Sequence, residues 1–214
     1  MNFLDGIYKM RYYFYSSMQI CEICIGTLKR EVAVDLRTRA ECVKKYGSDY
    51  YIQRKVESGE LFRVEKGIYS EQKTVPELAL LSYKYPKAVI TMDTAFYLYG
   101  LTDEIPETCT MATKREAAPI PDRRVKQYFV PRELLDMGTT TIDYKGYTIT
   151  IYDRERMLVE LIRYKNKLPY DYYKEILGNY RRIVSQLNVE LISNYAAAMP
   201  WKDKVIRTLR AEVF

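Results

Sequence analysis

The chain contains no histidine among its 214 residues, and this absence excludes several classes of enzyme site. Ser-His-Asp triads and Cys-His nucleophiles both need an imidazole base, and histidine-ligated zinc sites need the ring nitrogens. Histidine is also the usual acid–base group near neutral pH. An enzyme with this sequence would have to rely on carboxylates, lysine or tyrosine. We therefore expect no catalytic centre and no cofactor.

Long apolar segments are missing as well. The longest runs, such as residues 21–26, are interrupted within a few positions, whereas a membrane-spanning helix needs about 20 consecutive apolar residues. The N-terminus has no uninterrupted apolar stretch followed by a small-residue cleavage site, so no signal peptide is predicted. The expected location is the cytoplasm, without a membrane partner.

Cysteine is scarce, with four residues in the chain. Cys21 and Cys24 form a C-x-x-C pair, which is the spacing of zinc knuckles and of thiol redox sites. A zinc site would need a second pair of ligands, and Cys42 and Cys109 are isolated. The C-x-x-C also lies in an apolar stretch, where cysteine behaves as a small core residue. Buried structural thiols are the favoured interpretation, zinc or redox chemistry is the alternative, and no metal is expected.

The composition that remains is that of a globular protein with a basic excess. Apolar residues make up 48% of the chain and charged residues 29%, with a formal net charge of +6. A positive charge suits an anionic partner. Because the excess is spread along the chain, any basic patch must arise from local geometry.

Residues 38–59 carry the signals of two short helices joined by one glycine turn. Thr38-Arg-Ala-Glu41 has the capping-box pattern, which predicts a helix start, and Gly47 is placed to end that helix in a left-handed conformation. Ser48 is predicted to cap a second helix, residues 49–58, which stops at Gly59. Two helices in this arrangement are typical of a helix-turn-helix.

A hairpin is predicted directly after these helices. Residues 61–64 and 68–69 have the composition of short strands, and Glu65-Lys-Gly67 between them suits a turn. The pattern indicates a winged helix-turn-helix that binds duplex DNA. A helix is also predicted over residues 18–34, and residues 1–17 are an irregular aromatic extension.

The chain beyond the hairpin mixes strands and helices. We predict an α+β fold: an N-terminal winged helix-turn-helix over residues 18–72 and a mixed α/β C-terminal domain over residues 73–214 that ends in helices. Asn188 is predicted to cap the third of four closing helices, and Pro200 to lie in the first turn of the fourth. The predicted strands cover residues 88–91, 109–112, 125–130, 139–144 and 147–152, and the predicted helices cover residues 76–85, 93–99, 155–165, 170–182, 189–199 and 201–213.

The second helix of the pair has an apolar side and a polar side. Ile52 and Val56 are four residues apart and are predicted to pack inward. On the other side, Gln53 can pair with adenine and Arg54 with guanine in the major groove. These two side chains are the predicted base contacts.

Other residues of this region suit the phosphate backbone. Arg63 and Lys66 flank the hairpin turn, where they would reach the neighbouring backbone or the minor groove. The basic residues around the first helix would bind phosphates, which position a protein but carry no sequence information. The predicted DNA contacts are Arg37, Arg39, Lys44, Lys45, Ser48, Tyr50, Gln53, Arg54, Arg63 and Lys66.

Three segments, in order along the chain, resemble the AbiEi family, the abortive-infection antitoxins of type IV toxin–antitoxin systems. Residues 52–69 contain the family's Gly-x-Leu-x-Arg-Val followed by Gly-x-Tyr, at the end of its winged helix. Residues 86–101 resemble its strand and helix ending in Gly-Leu. Residues 151–160 resemble its Asp-x-Glu-Arg-Thr-Leu-x-Asp stretch, except that Met157 replaces Thr and Glu160 replaces Asp.

The resemblance implies a transcriptional autorepressor of its own toxin–antitoxin operon. Such a protein binds inverted repeats in operator DNA through its N-terminal domain, as a homodimer or as paired monomers. The resemblance further implies that the C-terminal domain opposes a nucleotidyltransferase-like toxin, without a stable complex between the two proteins.

Two other functions remain open from the residues alone. Asp153, Glu155 and Glu160 are acids grouped after a predicted strand, and a metal-dependent nuclease would use Asp153 and Glu160 to hold magnesium. Their alternative role is structural, with Asp153 as a helix N-cap. A protein-interaction module with a degenerate winged helix is the other possibility.

Further basic residues lie in the C-terminal part of the chain, where solvated surfaces are the commoner explanation. A second surface for nucleic acid is the alternative interpretation. These residues are Lys114, Arg115, Arg123, Arg124, Lys126, Arg181, Arg182, Lys202, Lys204, Arg207 and Arg210.

Overall fold

The structure, a computed structural model, describes residues 36–213. The predicted helix over residues 18–34, the extension over residues 1–17 and the Cys21–Cys24 pair lie outside the described residues. The described residues all belong to one compact unit. Within it the fold mixes helices with two separate sheets, in agreement with the predicted α+β class.

The N-terminal segment, residues 36–70, contains three strands and two helices. The strands form an antiparallel sheet in the order β1-β3-β2. The sequence predicted both helices, β2 and β3, but not β1. The elements are β1 (Leu36–Thr38), α1 (Arg39–Tyr46), α2 (Asp49–Glu57), β2 (Phe62–Glu65) and β3 (Ile68–Ser70).

Local hydrogen bonds explain where α1 begins and ends. The Thr38 hydroxyl accepts from the Glu41 backbone N–H at 3.3 Å, and the Glu41 carboxylate accepts from the Thr38 N–H at 2.6 Å, which confirms the capping box. Gly47 ends the helix with a φ of +94°, and its N–H donates to the Val43 carbonyl. Each bond satisfies a backbone group that the helix end would leave unpaired.

The start of α2 departs from the prediction. Ser48 does occupy the N-cap position, and its carbonyl accepts from the Ile52 N–H at 3.2 Å. Its side chain, however, makes no capping bond, so the predicted side-chain cap was wrong. Asp49 instead supplies a negative charge to the first turn, where it favours the helix dipole.

The remaining elements build a five-stranded mixed sheet with helices around it. Its order is β6-β5-β4-β8-β7, with parallel pairing in β4–β8 and β5–β6 and antiparallel pairing elsewhere. The elements are α3 (Glu77–Lys84), β4 (Val89–Ile90), α4 (Met92–Leu98), β5 (Cys109–Lys114), β6 (Val125–Val130), α5 (Arg132–Leu135), β7 (Thr139–Tyr144), β8 (Tyr147–Tyr152), α6 (Arg154–Tyr164), α7 (Tyr170–Arg182), α8 (Val189–Ala198) and α9 (Lys202–Glu212), with 3₁₀ turns at Lys165–Lys167 and Val184–Gln186.

The β7–β8 hairpin forms where the sequence predicted it. Lys145 and Gly146 have φ angles of +55° and +85°, which are the values that a two-residue primed turn needs. Tyr144 pairs with Tyr147 directly across this turn. The turn therefore fixes the register of both strands.

The closing helices confirm one predicted cap and overturn another prediction. The Asn188 side chain accepts from the Glu190 and Leu191 N–H groups, so it caps α8 as predicted. Pro200 is not in the first turn of α9. Because Trp201 adopts a left-handed conformation with a φ of +64°, the helix begins only at Lys202, and Pro200 precedes the cap.

Within residues 36–213, two hydrophobic cores of unequal size support these elements. The large core fills the space between the five-stranded sheet and its helices, with Phe96, Ile151 and Leu158 fully buried. The small core lies in the N-terminal segment and centres on Cys42, Ile52 and Leu61. No described helix is long and apolar enough to span a membrane.

Candidate nucleic-acid interface

Helix α2 has one buried face and one exposed face. Ile52 is buried in the small core, and Val56 packs against it. Gln53 and Arg54 are both exposed, and Tyr50 is 65% exposed. The inward packing of Ile52 and Val56 therefore turns the two predicted base contacts toward solvent, as the 3.6-residue period requires.

The exposed face of α2 carries one cation and several polar groups. Arg54 forms no ion pair with a described residue, while the Gln53 amide donates to the Glu57 carboxylate at 3.0 Å. Tyr50 meets Tyr51 edge to face, with ring centroids 5.5 Å apart. Tyr51 is 54% exposed and was not among the predicted contacts. Its position three residues before Arg54 was the available signal, because residues at that spacing are neighbours on a helix surface.

The β2–β3 turn lies beside the start of α1. Gly67 has a φ of +80°, and its carbonyl accepts from the Arg39 backbone N–H at 2.9 Å. Arg63 and Lys66 are exposed on this hairpin, and neither forms an ion pair within the part of the chain that the structure describes. The turn therefore presents two uncompensated cations from a backbone that is tied to α1.

The predicted phosphate contacts of α1 differ in their surroundings. Arg39 forms a bidentate pair with Asp49, which raises the arginine pKa and lowers that of the carboxyl. Lys45 donates to Glu71 at 2.7 Å, whereas Lys44 is exposed and has no acidic partner among residues 36–213. Exposed ion pairs of this kind contribute little to stability, so a phosphate can replace the carboxylate.

The two other predicted contacts are less exposed. Arg37 is half-buried in β1, opposite Tyr69. Ser48 is half-buried at the start of α2. The predicted set is therefore brought together on one segment, but its members differ in how freely they can reach a ligand.

A junction network of four charged side chains joins the N-terminal segment to the five-stranded sheet. Arg124 donates to Glu65 at 2.5 Å and to Asp122 at 2.7 Å, and Lys84 lies 3.0 Å from both carboxylates. Hydrogen bonding from Lys84 lowers the pKa of Glu65, and hydrogen bonding from Arg124 holds that of Asp122 well below its usual range. Arg124 thus serves the junction rather than a second nucleic-acid surface.

A second contact crosses the same junction. The Tyr83 hydroxyl, on α3, donates to the Glu41 carboxylate at 2.8 Å. Burial and this hydrogen bond raise the pKa of Tyr83 to about 12. The carboxylate that completes the capping box of α1 therefore also anchors α1 to the C-terminal part of the fold.

The acids considered for a nuclease site all have protein partners. Asp153 caps α6 by accepting from the Arg156 N–H at 2.6 Å, and its other oxygen accepts from the Tyr195 hydroxyl at 2.8 Å. Glu155 accepts from the backbone N–H of Asn188 at 2.9 Å. Burial raises the pKa of Asp153. The N-cap role of Asp153, which the sequence left as one of two alternatives, is confirmed.

Glu160 is buried on α6 and is paired with two arginines. It accepts from Arg156 at 2.7 Å and from Arg163 at 2.9 Å. Arg156 is itself fully buried, with its guanidinium 4.9 Å from the Tyr152 ring centroid. Within residues 36–213 no group of three or more cysteines and carboxylates is arranged to hold a metal ion.

Comparison with known proteins identifies a similar fold but no family. No protein-family model matches the sequence, and no curated protein matches it. Among solved structures, the chain is similar to the RV2827C protein from Mycobacterium tuberculosis, with a TM-score of 0.57 and 13% sequence identity. The match covers 83% of this chain and 72% of that one. At this identity the likeness concerns the fold alone.

Proposed function

We propose that this chain is a DNA-binding transcriptional autorepressor and the antitoxin of a type IV toxin–antitoxin system. Residues 36–70 would be its winged helix-turn-helix, with α2 as the recognition helix and the β2–β3 hairpin as the wing. The single observation that carries the proposal is the exposure of Gln53 and Arg54 on a helix whose other face is buried.

The docking geometry follows from these residues. A recognition helix contacts base edges from the major groove, where glutamine suits adenine and arginine suits guanine. Lys66 and Arg63 would then bind the neighbouring backbone, with Lys44 adding a phosphate contact. Because these contacts are electrostatic, affinity should fall steeply as the salt concentration rises.

The antitoxin part of the proposal rests on the three segments that resemble the AbiEi family. Two of their residues have clear roles in the fold: Asp153 caps α6, and Gly100 takes a φ of +65° after α4. The expected operator is an inverted repeat, which a homodimer or two monomers would occupy. The expected toxin is a nucleotidyltransferase-like protein that is opposed without a stable complex.

A gel-shift assay with the DNA upstream of the protein's own gene tests the repressor. Arg54→Ala should weaken binding by about 1–3 kcal/mol, because a bidentate arginine–guanine contact is lost. Lys66→Ala should weaken binding to all duplexes and reduce the salt dependence by about one phosphate contact. Arg132→Ala and Lys202→Ala are matched controls, since both residues are exposed and have no ion pair to a described residue.

The outcomes separate the alternatives. Unchanged affinity in both Arg54→Ala and Lys66→Ala would show that another surface binds the operator. No binding of the wild-type chain to any duplex would favour a protein-interaction module instead. A nucleotidyltransferase-like gene next to this one is expected from the proposal. Growth rescue on co-expression of the two genes tests the antitoxin role, and Arg54→Ala should retain this rescue while it loses repression.

A further inference from the structure

A basic cavity lies where the end of α6 meets the start of α9, outside the proposed DNA-binding segment. Its volume is about 600 Å³, and its lining also includes Tyr164 and Trp201. Among residues 36–213, no acidic side chain lines it. The cationic lining residues are Arg115, Arg163, Lys165, Lys167 and Lys204.

Only part of this positive charge is compensated. Arg163 pairs with Glu160 and Lys165 pairs with Glu212, both from outside the cavity. The other three cations, Arg115, Lys167 and Lys204, form no ion pair with a described residue and are exposed. Lys167 lies over the Tyr164 ring, 5.1 Å from its centroid, so it keeps its full charge. A concave surface with three cations that no described carboxylate compensates concentrates positive potential and attracts anions.

Trp201, in the lining of the cavity, is unusually exposed for a tryptophan. Trp201 is 82% exposed, and its ring makes no stacking or cation–π contact with a described residue. It also holds a left-handed backbone conformation, which costs a non-glycine residue free energy. An indole is the side chain that a protein gains most by burying. Its exposure beside a basic cavity therefore points to a ligand with a flat apolar face.

We propose that this cavity binds a nucleotide unit, with the base stacked on Trp201 and the phosphate held by Arg115, Lys167 and Lys204. Base stacking on an aromatic ring combined with cations along the backbone is the general mode of recognition of unpaired nucleotides. The volume is within the range of about 300–1,000 Å³ that small-molecule sites occupy. The unit can belong to a free nucleotide or to a single-stranded RNA.

Membrane binding also uses tryptophan with lysine, but the shape of this site argues against it. A lipid surface is contacted by a convex or flat apolar face, whereas here the cations and the indole line a concavity. Duplex DNA is disfavoured for a different reason, since its bases are stacked and cannot cover an indole.

Tryptophan fluorescence of the full chain provides the test, because Trp201 is the only tryptophan in the sequence. The chain is titrated with each of the four ribonucleoside triphosphates and, separately, with a short single-stranded RNA. Saturable quenching by the triphosphates identifies a free nucleotide as the ligand, and quenching by the RNA alone identifies the strand. Either result supports the proposal.

Substitutions of the lining residues test whether the ligand binds in this cavity. Lys204→Ala, Lys167→Ala and Arg115→Ala should each weaken binding several-fold, whereas Lys202→Ala should leave it unchanged because Lys202 does not line the cavity. By calorimetry, Trp201→Ala should weaken binding by about 5- to 150-fold, and Trp201→Phe should keep most of the affinity. Arg54→Ala should have no effect, so failure here is distinguishable from failure of operator binding.

Three results would overturn the proposal. The first is no quenching by either ligand. The second is quenching that Lys204→Ala and Lys202→Ala reduce equally, which would indicate unspecific attraction of anions. The third is a shift of the emission with phosphatidylserine vesicles but not with nucleotides or RNA, which would assign Trp201 to a membrane contact.

Discussion

The guanidinium of Arg124 donates to the carboxylate of Glu65 at 2.5 Å, and this contact links two residues that are 59 positions apart. Glu65 ends β2, next to the turn that carries Lys66, and Arg124 directly precedes β6. Lys84 holds the other Glu65 oxygen at 3.0 Å. The position of the hairpin therefore depends on residues of the C-terminal part of the fold.

Glu65→Gln should lower stability at neutral pH more than in acid. Because the pKa of Glu65 is lowered in the folded state, its ionised form stabilises the fold above the unfolded pKa of about 4.3. That contribution disappears as the pH falls through the lower, folded pKa. Urea unfolding at pH 7 should show a loss of about 1 kcal/mol, and the difference from wild type should shrink toward pH 3.

A control separates this effect from a general change of charge. Glu133→Gln removes an exposed glutamate that has no ion pair with a described residue, so its stability should match wild type at both pH values. An equal loss for Glu65→Gln at pH 7 and pH 3 would mean that its ionisation does not stabilise the junction.

Glu160→Ala should lower the free energy of unfolding by about 3–5 kcal/mol. The substitution leaves the guanidinium of Arg156 buried without its carboxylate partner, and Arg156 has no exposed surface. Glu190 is exposed on α8, so Glu190→Ala should change the free energy of unfolding little. Urea unfolding measures both variants. If Glu160→Ala were as stable as wild type, the pairs of Glu160 with Arg156 and Arg163 would not stabilise the fold.

Gly138→Ala should destabilise the chain much more than Gly100→Ala. Both glycines have positive φ angles, which cost alanine about 1–2 kcal/mol. At Gly138 the added Cβ would also lie 2.6 Å from the Cβ of buried Arg156, whereas nothing lies within 4 Å at Gly100. The clash should add about 1–3 kcal/mol. Thermal unfolding of the two variants measures the difference, and equal midpoints would disprove the close contact.

Much of the fold could be predicted because its signals are local. The capping box at Thr38, the Lys145-Gly146 turn and the Asn188 cap each act within four residues, and all three form as predicted. Strand β1 was missed because three residues carry no period of their own, and their partner strand lies about 30 positions away. The prediction that Pro200 lies in the first turn of α9 was wrong because Trp201, which follows it, takes a left-handed conformation that the sequence does not signal.

In the candidate site, too, the features set by local sequence could be predicted and those set by tertiary contacts could not. The exposure of Gln53 and Arg54 followed from the helical period of α2 alone. The pairing of Arg39 with Asp49 and of Lys45 with Glu71 did not, because it depends on where the turn after α1 and the end of the hairpin lie. Ion pairs set by tertiary structure carry no signal in a single sequence.

Ile52→Ala should abolish the proposed operator binding while the C-terminal part stays folded. Ile52 is one of three central residues of the small core, and such truncations cost about 2–5 kcal/mol. Tyr152, Tyr173 and Tyr180 are buried in the large core, so their near-ultraviolet circular dichroism should persist when the gel shift is lost. Ile105→Ala, at a residue 75% exposed, is the control. Simultaneous loss of both signals would show that the two cores unfold as one.

The unequal cores have a consequence for how such a protein would respond to heat. A part of a protein with few buried contacts opens at a lower free energy than the rest. In the proposed repressor, warming would first release the operator, while the part proposed to counter the toxin would remain folded. Fresh antitoxin would then be synthesised before the existing supply failed, so the gene would replenish its own product under thermal stress.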